Sequence, residues 1–355
     1  MKKLLLAALG VLCFLPSLAT AQQPPPSADQ PFLLLSSNET KKLQVRLSEA
    51  AKSGYRVVAL LNIMGFENLI FLEKAPQPEA VEYLLLGISR VPTAQRELNQ
   101  GAAQGFRLLP HALVMTGELV GIMEKRPGAE QRYEYLVIDT MRSKTLEKET
   151  QQAFSQGWQL CWLYRPEIQN IAILERPAGA PAPTGKPPEI KDADLRFRLF
   201  SPKSFATFND ELGVLSGQGH RVLIAPRQAN SSSVLVEKMA EGAARYEYRV
   251  IRLKDPKELE EPLSKVGSDG FRLLWPVLFY ITQYGYDPQI FLFAEKAPGV
   301  QNPCEYRLLS WAATPQPTAE FSQKLSEAKA QGFHVFDALV WMNGTRSLVM
   351  EKCGP

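Results

Sequence analysis

Hydrophobic and polar positions along this chain follow two rhythms that take turns. After Gly54 the run "GYRVVAL" puts apolar residues one and three places past the glycine, with a polar residue between them, and "GFRLLP" after Gly105 does the same. A period of two marks a strand with one face inward. Upstream of each such run the period lengthens. Counting back 11, 7 and 4 positions gives Leu43, Leu47 and Ala50 before Gly54, and Phe321, Leu325 and Ala328 before Gly332. Spacings of four and three put these on one face of a helix, and that face should cover a sheet. A β-rich run such as "YEYLVI" (133–138) precedes the helix, and a strand such as "NLIFLEK" (68–74) closes the unit. The pattern predicts β-α-β-β.

This unit occurs six times. Its glycines are Gly54, Gly105, Gly157, Gly219, Gly270 and Gly332, followed by Tyr55, Phe106, Trp158, His220, Phe271 and Phe333. The first strands carry Phe32, Tyr83, Tyr135, Phe197, Tyr248 and Tyr306, 22 residues before the glycine in five copies and 26 in the sixth. Each copy ends on an acid-base pair, from Glu73-Lys74 to Glu351-Lys352. Three markers in register six times define a repeat protein. Each glycine sits where a left-handed residue ends a helix, and the aromatic after it should point into the core. The closing Glu-Lys reads as a solvated strand end, with Glu facing the recurrent Arg of the second strand across the sheet. Asn38, Ser143 and Asp255 stand at helix-cap positions, and Pro256 suits a first helical turn.

The cysteines bear on strand order. Cys304 lies two residues before Tyr306, and Cys353 two residues after Glu351. If strand three lies between strands one and two, antiparallel to both, those ends become neighbours within disulfide reach, about 4.4–6.8 Å between Cα atoms. A right-handed crossover satisfies the same 1-3-2 order. A Cys304–Cys353 bond is therefore expected, with Cys161 a buried free thiol in a second strand.

The copies group in threes. Copies one and four use Phe in strand one and read Gly-x-Arg-Val; copies two and five read "GFRLL"; copies three and six lack the arginine. The fold expected is α+β: six tandem units at 31–76, 81–127, 132–177, 194–240, 245–298 and 303–355, forming two three-unit halves at 31–178 and 194–355. A Pro-rich linker at 179–193 joins the halves. How the sheets of a half associate is left open by the sequence.

The run "YEYLVI…SQGWQLCWL…AILER" (134–176) resembles a short bacterial domain-of-unknown-function family, whose members pair a Tyr-Glu-Tyr-x-Val strand with a Glu-Gly-Trp-Glu-Leu motif. The resemblance implies a β-α-β-β fold and no chemistry. The chain departs from that pattern with Gln156 or Asp269 before the glycine.

Composition narrows the function classes. Met1-Lys2-Lys3, the apolar run Leu4–Leu15 and Ala19-Thr20-Ala21 form a secretory leader at 1–21, followed by a short N-terminal linker at 22–30. Periplasm or exterior is the expected location, and no later stretch is long enough to span a membrane. Of 40 basic and 37 acidic residues, two lysines and no acids fall in the leader, so the remaining chain is one charge positive. That balance gives no electrostatic case for nucleic acid. No cofactor fingerprint occurs, and His111, His220 and His334 lie in three different copies without metal-ligand spacing. A residue type present in every copy is explained by the shared fold, so no catalytic residue is assigned. The search moves to where the copies differ. Copy five carries a longer excursion, "LFYITQYGYDPQIF" (278–291), and its Tyr280, Tyr284, Tyr286 and Asp287 are the candidate binding residues. Trp311 and the insert at 311–317 are a lesser candidate. The expected function is a non-enzymatic binding or scaffold module whose partner is an envelope protein or a small ligand. The alternatives are an enzyme with a site between the halves, using acids such as Asp287 and Glu305, and an oligomer built on open sheet edges.

Overall fold

A computed structural model describes residues 30–354 apart from 64–66, 78, 116–117, 166–168, 181–189, 205, 225–227, 230–232, 254–255, 283–287, 300–303, 313–317 and 342–343. The six units follow one another as expected. Unit one holds β1 (Phe32–Ser37), α1 (Thr40–Lys52), β2 (Tyr55–Ile63) and β3 (Glu67–Lys74). Unit two holds β4 (Glu82–Ile88), α2 (Val91–Ala103), β5 (Arg107–Met115) and β6 (Leu119–Lys125). Unit three holds β7 (Tyr133–Thr140), α3 (Ser143–Ser155), β8 (Gln159–Tyr164) and β9 (Asn170–Pro177). Unit four holds β10 (Phe197–Phe200), α4 (Phe208–Gly217), β11 (His220–Ile224), the two-residue β12 (Gln228–Ala229) and β13 (Val234–Lys238). Unit five holds β14 (Glu247–Leu253), α5 (Glu260–Ser268), β15 (Arg272–Thr282) and β16 (Pro288–Lys296). Unit six holds β17 (Cys304–Trp311), α6 (Ala319–Ala330), β18 (His334–Val340) and β19 (Arg346–Cys353).

In every unit the third strand lies between the first and second and runs antiparallel to both. In unit six this order sets Cys304 directly opposite Cys353, and the two form a disulfide with their Cα atoms 4.1 Å apart. Cys161 is a buried free thiol. All six signature glycines have positive φ, from 78° to 93°, and each ends its helix as the sequence predicted. The caps at the other end differ from expectation. Helix α1 starts at Thr40, with Glu39 before it and no side-chain cap. Ser143 is the first residue of α3 instead of its cap, because the Thr140 hydroxyl accepts the Arg142 N–H and closes the turn one step earlier. Asp255 lies outside the described residues, and Pro256 opens a single 3-10 turn (Pro256–Glu258) ahead of α5. Thr318 caps α6 through the Phe321 N–H.

The packing supplies what periodicity left open. Each sheet buries both faces. One face meets its own helix, and the other meets the preceding unit. The buried apolar residues fall into six clusters, each shared by two consecutive units. Leu43 and Leu47 of unit one pack with Tyr83 and Ile122 of unit two, and Leu98 of unit two packs with Trp162 and Ile173 of unit three. The series passes across the linker, where Leu146 and Trp158 meet Phe197 and Leu235. It continues through Phe208 with Phe293 and Leu263 with Trp341. The sixth cluster joins the ends of the chain: Trp311, Phe321 and Leu325 of unit six pack on Phe32, Leu34 and Phe71 of unit one. The two halves therefore close on each other into a ring of six. Helices α1 to α5 each pack against the first strand of the next unit, and second strands lie beside second strands, as β2 does with β5 and with β18. Second strands thus turn inward, and first strands and helices outward.

Candidate functional site

The recurrent side chains meet at the joints between units. Tyr135 of unit three reaches back to unit two. Its hydroxyl accepts the Leu108 N–H at 2.7 Å and donates to Glu175 of its own unit at 3.4 Å. Arg107 of unit two then binds Glu175 at 2.5 Å. Burial above all, with Glu175 adding to it, pushes the Tyr135 phenol far above its ordinary pKa, so it remains a donor. The bond to Glu175 raises Arg107 likewise. The same device recurs where unit four meets unit five: Tyr248 takes the Val222 N–H at 2.9 Å, gives to Glu295 at 3.0 Å, and Arg221 binds Glu295 at 2.9 Å. Between units five and six, Tyr306 takes the Leu273 N–H at 3.0 Å and Arg272 lies 3.4 Å from Glu351. Between units one and two, Tyr83 takes the Val57 N–H and gives to Glu124, while Arg126 supplies the cation at 2.5 Å. The N–H accepted in each case precedes a bulge in the second strand, where the ladder would otherwise leave it unpaired.

Two sequence expectations are corrected here. The closing glutamate is not a solvated strand end: Glu124, Glu175, Glu295 and Glu351 are buried. The register does set Arg107 opposite Glu124 and Arg272 opposite Glu295. The ion pairs nevertheless run to the glutamate of the next unit, because packing brings that carboxylate over the edge of the second strand. The base after the glutamate also has a place. Lys74 covers the Tyr55 ring at 4.8 Å, Arg176 the Trp158 ring at 4.4 Å and Lys352 the Phe333 ring at 5.7 Å. The Phe at copies one and four becomes intelligible as well. Phe197 and Phe32 sit at the two seams between halves, where aromatic contacts replace the tyrosine device: Phe154 on Phe197 at 4.4 Å, and Phe32 against Trp311 and Phe321 at 6.3 and 6.0 Å. Trp311 is 4 % exposed, so it belongs to the seam core, and residues 313–317 of its insert lie outside the described residues.

The outer edges of the first strands of units two to six are met by the preceding helix. Gln44 binds the Tyr83 carbonyl and the Leu85 N–H at 2.9 and 2.6 Å. Asn99 binds both backbone groups of Tyr135, and Asn209 both of Val250. At unit five the helix carries Gly267, whose Cβ, if it had one, would lie 1.9 Å from the Cys304 carbonyl oxygen, so strand and helix approach directly.

The excursion of copy five is largely strand. β15 runs to Thr282 and β16 begins at Pro288, which narrows the turn to 283–287. Tyr280 lies in β15, where its backbone is in parallel register with Gln228 of β12, so the second-to-third-strand segments of units four and five share one four-stranded sheet. Tyr284, Tyr286 and Asp287 lie outside the described residues. On the outer side, Val91, Arg96, Val137 and Asp139 line a cleft of about 380 Å³ between α2 and β7, but its Gln95 and Asn99 already bind the β7 backbone. The structure does not bring the histidines together in one unit. His220 is half-buried, with burial first and Lys238 second lowering its pKa, and His334 is exposed. Among the described residues one trio of metal-ligating atoms is close, Cys304, Glu351 and Cys353. No helix among the described residues is long and apolar enough to cross a membrane.

No protein-family model, curated protein or solved structure matches this chain.

Proposed function

We propose that this chain is an exported, non-enzymatic ring that serves as a binding or scaffold module in the bacterial cell envelope, making its contacts through the 278–291 segment of unit five. The observation that carries this reading is the filling of both seams. An enzyme with its site between the halves needs a cleft there. Apolar clusters occupy those positions instead, and Glu305 points to solvent, where it pairs with Lys352 at 3.5 Å. The recurrent Tyr, Glu and Arg side chains are spent on joints. Open-edge oligomerisation has little to use where helix carboxamides occupy the first-strand edges. Export rests on the leader, and the Cys304–Cys353 pair fits an oxidising compartment. The β15–β16 hairpin, with Tyr284 and Tyr286 in the segment between its strands, is the contact surface in this reading.

The test is affinity capture from envelope extract, with the wild type beside a variant whose residues 283–287 are replaced by Gly and Ser at equal length. The expected result is a set of partners recovered by the wild type and lost by the variant, with equal melting temperatures. Recovery of the same partners by both overturns the hairpin assignment.

A further inference from the structure

The Cys304–Cys353 disulfide has an unusual neighbour. Glu351, two residues before Cys353, is 3 % exposed, and its Oε2 is buried without a hydrogen-bond partner. Its Oε1 lies 2.9 Å from Cys353 Sγ. A disulfide sulfur carries no proton, so in the oxidised chain that contact is not a hydrogen bond. It becomes productive only when the sulfur is a thiol or a thiolate sharing a cation with the carboxylate. One ligand atom from each of Cys304, Glu351 and Cys353 lies within 4.8 Å of the others; the two sulfurs are bonded in the oxidised chain and must part after reduction to take two corners of a tetrahedral ion. Cys304 is 2 % exposed, whereas Cys353 is partly exposed beside the exposed Gly354, which gives an entry path.

We propose that reduction converts this staple into a site for a thiophilic cation, Zn²⁺ or Cu⁺, held by Cys304, Cys353 and Glu351. A dithiol reductant supplies two electrons and two protons to the Cys304–Cys353 bond and leaves as its own disulfide. The two thiols then release both protons as the ion binds. For Zn²⁺ the charges balance: two thiolates and one carboxylate face the ion and the Arg272 guanidinium, 3.4 Å from Glu351. A buried site with no net charge avoids most of the penalty for burying ions. Two thiolates select soft cations over Mg²⁺ or Ca²⁺. Three protein ligands leave the fourth tetrahedral position to water. Unit six would then be closed by a disulfide under oxidising conditions and by a metal under reducing ones.

The experiment uses the full chain with Cys161→Ser, which removes the competing thiol. The protein is reduced with a phosphine, exchanged into anaerobic buffer and titrated with Zn²⁺ against a chromophoric chelator. Co²⁺ is titrated in parallel to read thiolate-to-metal charge transfer in the near ultraviolet. One ion per reduced chain, none in the oxidised chain, and loss of the charge-transfer band in Cys304→Ser are expected. Glu351→Gln should weaken Zn²⁺ by roughly tenfold or more, on the scale of losses seen when a metal site's supporting groups are removed. Its circular dichroism reports whether the fold is kept. A reduced chain that takes up no zinc overturns the proposal, whether or not it stays folded. So does a folded Glu351→Gln variant that binds as tightly as the parent.

Discussion

Tyr135 shows how much one hydroxyl does in this molecule. It completes a bulge in the strand of one unit and anchors the buried carboxylate of the next. Removing it in Tyr135→Phe leaves the Leu108 N–H, on a residue 1 % exposed, without its partner. The expected cost is about 1–3 kcal/mol, the range for orphaning a buried donor. Urea unfolding monitored by circular dichroism measures it. A loss within about 0.5 kcal/mol would mean the hydroxyl is not the joint, since that is the spread of ordinary surface substitutions. Sequence marked this tyrosine as a repeat feature, but it could not separate Tyr from the Phe of copies one and four by role. The distinction is one of neighbours: Phe32 and Phe197 meet aromatic rings at the seams.

At the scale of elements, the outward helices guard the edges of the sheets. A first strand is an edge strand by topology, and exposed edges invite pairing with other chains. Asn99 mimics a strand partner by accepting the Tyr135 N–H at 2.9 Å and donating to its carbonyl at 2.8 Å. Asn99→Ala is expected to lower stability by about 1–3 kcal/mol through unpaired backbone groups, and to raise self-association on warming. Thermal melts with light scattering read both effects, and an unchanged melt with no added scattering would contradict the edge-guarding role. The helical face predicted from period 3.6 was correct. The polar residues beside that face carry no periodic mark of their role, because their targets lie about 40 residues further along the chain.

At the scale of the molecule, closure makes the halves interdependent. The cluster of Leu146, Phe197 and Leu235 and that of Phe32, Trp311 and Phe321 hold both seams independently of the linker. A protease site placed in 181–189 and cut in the folded protein should therefore leave two fragments that co-elute on gel filtration in native buffer. They should separate only in denaturant. Fragments that part without denaturant would show that the seams do not close the ring.

The sequence by itself determined the unit, its six copies, the strand order and the disulfide, because these depend on periodicity and on contacts within some 50 residues. It also carried the grouping of the copies in threes, visible as which copies lack tyrosine. Only the tertiary structure decided that the two faces of each sheet are buried by different units and that the sixth unit returns to the first. It also decided that the closing glutamates turn inward to bridge units. Those outcomes depend on which apolar faces meet after the chain has folded. A pattern that repeats identically in every unit says that a face must be covered, and leaves to packing what covers it.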